Sequence, residues 1–185
     1  MRKAYMIHGS GGRPNGGWRP WLMTELAKID VYASALPMPT SEKMICSEWV
    51  EELAHHAERD KDDELYLVGH SLGVAVILRF LEQASPDIRI AGAVLVSGPI
   101  ENDDDDQLAD FFETEFDFEA IKKKVSAFAV IHGDDDPVVP VSQGERMAKA
   151  LGCELTIVPN GKHLNGSAGW LALPQALEAL QKMFM

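Results

Sequence analysis

Six short apolar runs punctuate this chain, at residues 4–7, 31–36, 65–68, 91–96, 128–131 and 155–158. Most lack the polar alternation of a strand with one wet face. Strands covered by helices on both sides read this way, and parallel sheets are built of them. Stretches with helical spacing lie between the runs. Residues 18–29 carry Trp21, Leu22 and Leu26 on one side. Residues 41–58 open on Ser41, a candidate N-cap, and 71–83 follow the third run directly. Residues 142–151 stop at Gly152, a candidate C-cap, and 170–185 form the last helical stretch. Leu108, Phe111, Phe112 and Phe116 also repeat at helical spacing within 101–121. That segment reads either as a plain crossover helix or as a roof over a pocket. Strand and helix alternate throughout, so the expected fold class is α/β. It has three layers, with about six mostly parallel strands and helices on both faces, in one domain over residues 1–185. Ligand chemistry in such sheets gathers at the carboxyl ends of the strands.

Composition narrows the partners. The net charge is −12, which disfavours nucleic acid and anionic membrane, because phosphate contacts need clustered Lys and Arg. No apolar run reaches the length of a membrane span, and the apolar part of the N-terminus is too short for a signal peptide. Cys46 and Cys153 are the only cysteines and stand far apart, so a reducing, cytoplasmic setting is expected. The acidic run Asp103–Asp106 lacks the spacing of a calcium loop and reads as a solvated stretch, so no metal is expected there.

The third run leads into Gly69-His70-Ser71-Leu72-Gly73, then a helical stretch. Gly-x-Ser-x-Gly between strand and helix is the pattern of a sharp nucleophile elbow. Small residues two positions either side of the serine avoid a collision where the elements meet, and the hydroxyl is lifted above the sheet. A serine hydroxyl needs a base. His163, in the polar loop Pro159-Asn160-Gly161-Lys162-His163, is the candidate. His8 and His132 precede glycines at strand ends and read as structural or pocket-lining; His55, His56 and His70 are poorer candidates. The fifth run ends in Asp134-Asp135-Asp136-Pro137-Val138-Val139-Pro140. Asp136 is the favoured acid, because the prolines turn the chain away just beyond it. Asp134 is the alternative, and Asp135 reads as a turn residue. The acid would orient His163 and stabilise its imidazolium. A tetrahedral intermediate needs two backbone N–H donors. Leu72 would supply one and Ser10, in His8-Gly9-Ser10-Gly11-Gly12, the other, with Gly11 as the alternative.

These four landmarks, in this order, resemble the α/β-hydrolase superfamily over nearly the whole chain. The short length and the early Trp18 and Trp21 resemble the small serine hydrolases related to retinoblastoma-binding protein 9. The resemblance implies a triad of Ser71, Asp136 and His163, no cofactor, no large cap, and a sheet lacking the first two strands of larger members. The expected activity is a carboxylesterase-type hydrolase acting on a small or medium acyl substrate. Amide, peptide or thioester cleavage by the same triad is one alternative, and a non-catalytic protein-binding module is another.

Overall fold

All six expected strands form, and every pairing between them is parallel. The computed structural model describes residues 1–39, 44–102 and 106–185. The strands are β1 (Arg2–Ile7), β2 (Tyr32–Ala35), β3 (Glu64–His70), β4 (Ile90–Val96), β5 (Phe128–Gly133) and β6 (Leu155–Val158). They lie in the order β2-β1-β3-β4-β5-β6. The chain therefore steps outward from β1 to β2, then crosses back and proceeds in the other direction from β3. The loops leaving β1 and β3 diverge at this reversal and open a crevice between them, at the carboxyl ends of the strands.

The helices are α1 (Arg19–Ala27), α2 (Cys46–Arg59), α3 (Leu72–Gln83), α4 (Phe118–Lys122), α5 (Val141–Leu151) and α6 (Pro174–Met183). Neighbouring residues of a strand point to opposite faces, and the core divides accordingly. Tyr5, Ile7, Leu65, Leu67, Ala93, Leu95 and Val130 pack under α2, α3 and α5. Their neighbours Ala4, Met6, Tyr66, Val68, Val94, Val96 and Ile131 pack under α1 and α6, against Leu22, Leu26, Ala176 and Leu180. Both faces are covered, which is why the runs show so little polar alternation.

Three boundaries differ from the pattern. The second helix starts at Cys46, after the extended Ile45, and Ser41 lies outside the described residues. The last helix starts at Pro174 rather than near Trp170, because proline fits only a first turn. Before it, Gly166–Ala168 makes one 3-10 turn that ends at Gly169, whose φ is 87°. The described residues of 101–121 do not form one helix either. They hold a 3-10 turn, Ala109–Phe112, and the short α4, which Asp117 starts by accepting the Ala120 N–H at 2.9 Å. Arg79 of α3 explains the break. It donates to the carbonyls of Phe111 and Thr114, which a continuous helix would have used internally, and stacks 4.0 Å from the centre of the Phe116 ring.

Leu180 is fully buried between α6 and the sheet, far in sequence from the loops that meet at the crevice. Leu180→Ala should lower unfolding stability by about 2–5 kcal/mol, the usual cost of such a cavity, as read from the denaturant midpoint. A change below about 1 kcal/mol would mean that this face is much looser than its burial implies.

Candidate active site

Ser71 sits between β3 and α3 with φ 54° and ψ −126°, a conformation that L-residues rarely adopt. Such backbone strain costs on the order of 1–3 kcal/mol and persists only where the surroundings enforce it. Here they do. The Ser71 N–H donates to Val96 O at 2.9 Å, tying the turn to β4. Gly73 lies so close to Ile7 O that a side chain there would overlap the end of β1, and a Cβ on Gly9 would come 2.7 Å from the Ser71 Cβ. Glycine at both places lets the elbow press against the loop leaving β1.

The structure brings Ser71, His163 and Asp136 together. His163 Nε2 lies 2.9 Å from Ser71 Oγ. Its Nδ1 lies 2.9 Å and 3.1 Å from the two carboxylate oxygens of Asp136. An ionised carboxylate only accepts, so Nδ1 carries the proton and the Nε2 lone pair faces the serine hydroxyl. The Asp136 side chain is wholly shielded from solvent. Its Oδ1 accepts the N–H groups of Val138 and Val139, at 2.8 Å and 3.0 Å. Burial pushes its carboxyl upward. Hydrogen bonds from His132, His163 and Val139 outweigh that and hold it well below the usual range.

The neighbouring aspartates do other work. Asp134 accepts the Asn160 N–H at 2.8 Å, and Asp135 accepts the Lys162 N–H at 2.7 Å. Both therefore brace the backbone of the His163 loop. That loop needs bracing, because Asn160, Lys162 and Leu164 all have positive φ. Two tryptophans also hold it: Trp18 Nε1 donates to Leu164 O at 2.8 Å, and Trp170 Nε1 donates to Gly161 O at 2.7 Å. His70 Nε2 donates to His163 O at 2.8 Å from beneath.

His132 is fully buried, and its Nε2 donates to Val139 O at 2.9 Å and approaches Asp136 Oδ2 at 3.4 Å. The structural reading of His132 left open which residues it supports: they are Val139 and Asp136. The spacing of four residues from Asp136 was the available signal. His8 is packed edge-on against Trp49.

Two cavities meet at Ser71. One, of about 460 Å³, is lined mainly by apolar residues, among them Leu72, Leu108, Phe112, Val138 and Val139, with Glu101 and Asn102 beside them. Leu108, just before the 3-10 turn, and Phe112, at its end, help wall this cavity. The other, of about 420 Å³, lies between the loops that leave β1 and β6. Ser10 borders both cavities, Leu72 only the apolar one and Gly11 only the other. Among the described residues, no group of three His, Cys, Asp or Glu is arranged to hold a metal ion, and no helix is long and apolar enough to cross a membrane.

Sheet order, elbow and cap-free crevice define an α/β-hydrolase fold, and solved structures agree. Rv0554 from Mycobacterium tuberculosis superposes with a TM-score of 0.77 over 99% of this chain and 89% of its own, at 17% identity. Est1E from Butyrivibrio proteoclasticus does so with a TM-score of 0.74 over 97% and 88%, at 17% identity. At that identity the likeness concerns the fold alone. The family model for serine hydrolases matches residues 4–182, and the chain belongs to that family. It is 32% identical to YdeN of Bacillus subtilis (strain 168), across 99% of this chain and 96% of that one. The crystal structure of that gene product superposes with a TM-score of 0.90.

Burial pushes the His70 imidazole down to about 3 from an ordinary 6.5. Above the ordinary value, His70 is neutral both folded and unfolded. Below it, the unfolded chain takes a proton that the folded protein refuses until about pH 3. Stability contributed by neutral His70 is therefore lost as pH falls through that window. His70→Gln should make unfolding stability fall less steeply than in the wild type between pH 6.5 and lower values, whatever its effect at neutral pH. Equal slopes for the two proteins would show that His70 takes up its proton in the folded state as readily as in the unfolded one.

Proposed function

We propose that this serine hydrolase is a carboxylesterase-type enzyme that cleaves small or medium acyl substrates through an acyl-enzyme. The observation that carries the reading is the unbroken chain of contacts Asp136–His163–Ser71, at 2.9 Å and 2.9 Å, ending on a strained serine between two cavities. Ser71 Oγ attacks the acyl carbon while its proton passes to His163 Nε2. Asp136 keeps the imidazole in the receptive tautomer and stabilises its charged form. The oxyanion is held by the N–H groups of Leu72 and Ser10. Neither amide has a protein acceptor among the described residues, and both residues border the cavity that also reaches Ser71. When the intermediate collapses, the acyl–oxygen bond breaks and the leaving alcohol takes the proton from Nε2. Water then repeats the sequence on the acyl-serine, giving the acid and restoring the Ser71 hydroxyl.

The cavity lined by Leu108, Phe112 and Val138 supports hydrocarbon character in one half of the ester. The two free cysteines fit a cytoplasmic setting. Two cavities of similar, modest size beside Ser71 suit a small or medium substrate better than an extended peptide.

A fluorophosphonate should attach covalently to Ser71, located by mass spectrometry, and a panel of activated esters, amides and thioesters should show esters turned over fastest. Asp136→Asn should lower kcat by about 10⁴ without changing the elbow. Absence of an adduct on Ser71 would favour the binding-module alternative, and faster turnover of amides or thioesters would move the substrate class. Should Asp134→Asn be the crippling change and Asp136→Asn mild, the acid is misassigned.

A further inference from the structure

The cavity between the β1 and β6 loops contains a charge that the hydrolytic mechanism above does not use. Arg19, the first residue of α1, is only 6% exposed and lines this cavity together with His163 and Ser71. Its Nη2 donates to Arg13 O at 2.8 Å and its Nε to Pro14 O at 3.3 Å. No carboxylate pairs with it among the described residues. A buried guanidinium without a counter-charge is costly. Burial draws its pKa down to about 10, so it is still cationic near neutral pH.

The rest of the lining has the same polarity. Arg13, an exposed residue, also borders the cavity, and no Asp or Glu does, in a chain whose net charge is −12. Asn165 also lines it. Its carboxamide oxygen already accepts from Ser167 Oγ at 2.8 Å and from the Ala168 N–H at 2.9 Å. Its NH2 group is what remains to offer. The cavity thus presents donors and positive charge beside the serine, while the cavity on the other side of the serine is walled by Leu108, Phe112 and Val138.

We infer that the substrate carries a carboxylate, and that Arg19 binds it in the cavity between the β1 and β6 loops. The inference rests on Ser71 being the nucleophile. A monoanion fits better than a phosphate dianion, because two of the three guanidinium nitrogens are already engaged by backbone carbonyls and one buried charge balances one negative charge. Arg19 is then a specificity-determining residue, and the carboxylate sits on whichever half of the ester, acyl or alcohol, points away from Leu108 and Phe112.

Two matched pairs of esters test this. One places the carboxylate on the acyl half: para-nitrophenyl hydrogen adipate against para-nitrophenyl methyl adipate. The other places it on the leaving half: para-acetoxybenzoate against its methyl ester. In one pair, the wild type should prefer the carboxylate by about tenfold or more in kcat/KM, the scale of one charge-assisted hydrogen bond. Arg19→Gln should abolish that ratio, and Arg19→Lys should keep part of it. Ratios near one for both pairs in the wild type, with the neutral esters turned over, overturn the inference while leaving the hydrolase reading intact. So does a preference that survives Arg19→Gln. If Arg19→Gln does not fold, the wild-type ratios and their response to Arg19→Lys decide the matter. If Ser71 takes no fluorophosphonate and no ester is cleaved, the hydrolase reading itself has failed, and the carboxylate site falls with it.

Discussion

The backbone at Ser71 is the constraint on which the rest of the site depends. A serine at φ 54° is unfavourable alone, and three contacts keep it there: its own N–H on β4, Gly73 against the end of β1, and Gly9 against its side chain. The first comes from β4, the other two from the end of β1 and the loop that leaves it. The elbow is therefore a product of the assembled sheet and not of a local turn preference. This is the sense in which strain is stored: the packing of three parallel strands holds a conformation that an isolated segment would abandon. The same close approach brings Ser10 and Leu72 to the cavity that Ser71 also lines.

A second requirement follows from burial. Asp136 has a wholly shielded side chain, and an ionised carboxylate there is tolerable only if its oxygens are saturated with donors. The Val138 and Val139 amides, His163 and His132 meet that need. The Pro137 and Pro140 positions help because they shape a short loop that turns two amides back on the carboxylate. Asp134 and Asp135 then fasten the neighbouring loop, so three consecutive acids serve one histidine by two different routes. The acid orients the ring, and its neighbours orient the backbone that carries the ring.

Much of this arrangement was legible in the residues. The α/β class, the six strands and the parallel pairing followed from apolar runs without alternation. The pairing of Ser71, His163 and Asp136 followed from the order of three loops. The choice among Asp134, Asp135 and Asp136 was less legible, because adjacent carboxylates differ only in which direction the chain turns. The breaks in 101–121 were hidden for another reason. Leu108, Phe111, Phe112 and Phe116 have helical spacing, but Arg79, far away in sequence, takes the carbonyls that a helix would need. Trp18 was visible as part of a family resemblance and Trp170 as the start of a helical stretch, but nothing in the residues showed that their indole N–H groups clamp the His163 loop. Long-range hydrogen bonds of this kind leave no periodic trace.

The two sides of Ser71 are built differently. On one side stand Leu108 and Phe112, carried by a 3-10 turn in an irregular segment that Arg79 holds at its carbonyls. On the other side the β1 loop is fixed from within: Arg19 holds the carbonyls of Arg13 and Pro14, and the Gly12 N–H returns to Gly9 O at 3.0 Å. Residue 17 has φ 59°, and a side chain there would press on Gly166 of the facing loop, so the two loops close on each other at Gly17 and Gly166. A wall of side chains on an irregular segment can change with few consequences for the sheet. A wall made of interlocked backbone cannot, because the carbonyls of Arg13 and Pro14 also hold Arg19, and those of Gly161 and Leu164 hold Trp170 and Trp18. Variation in the apolar wall would therefore retune which hydrocarbon fits, whereas variation in the polar wall would disturb the base and its substrate contact together.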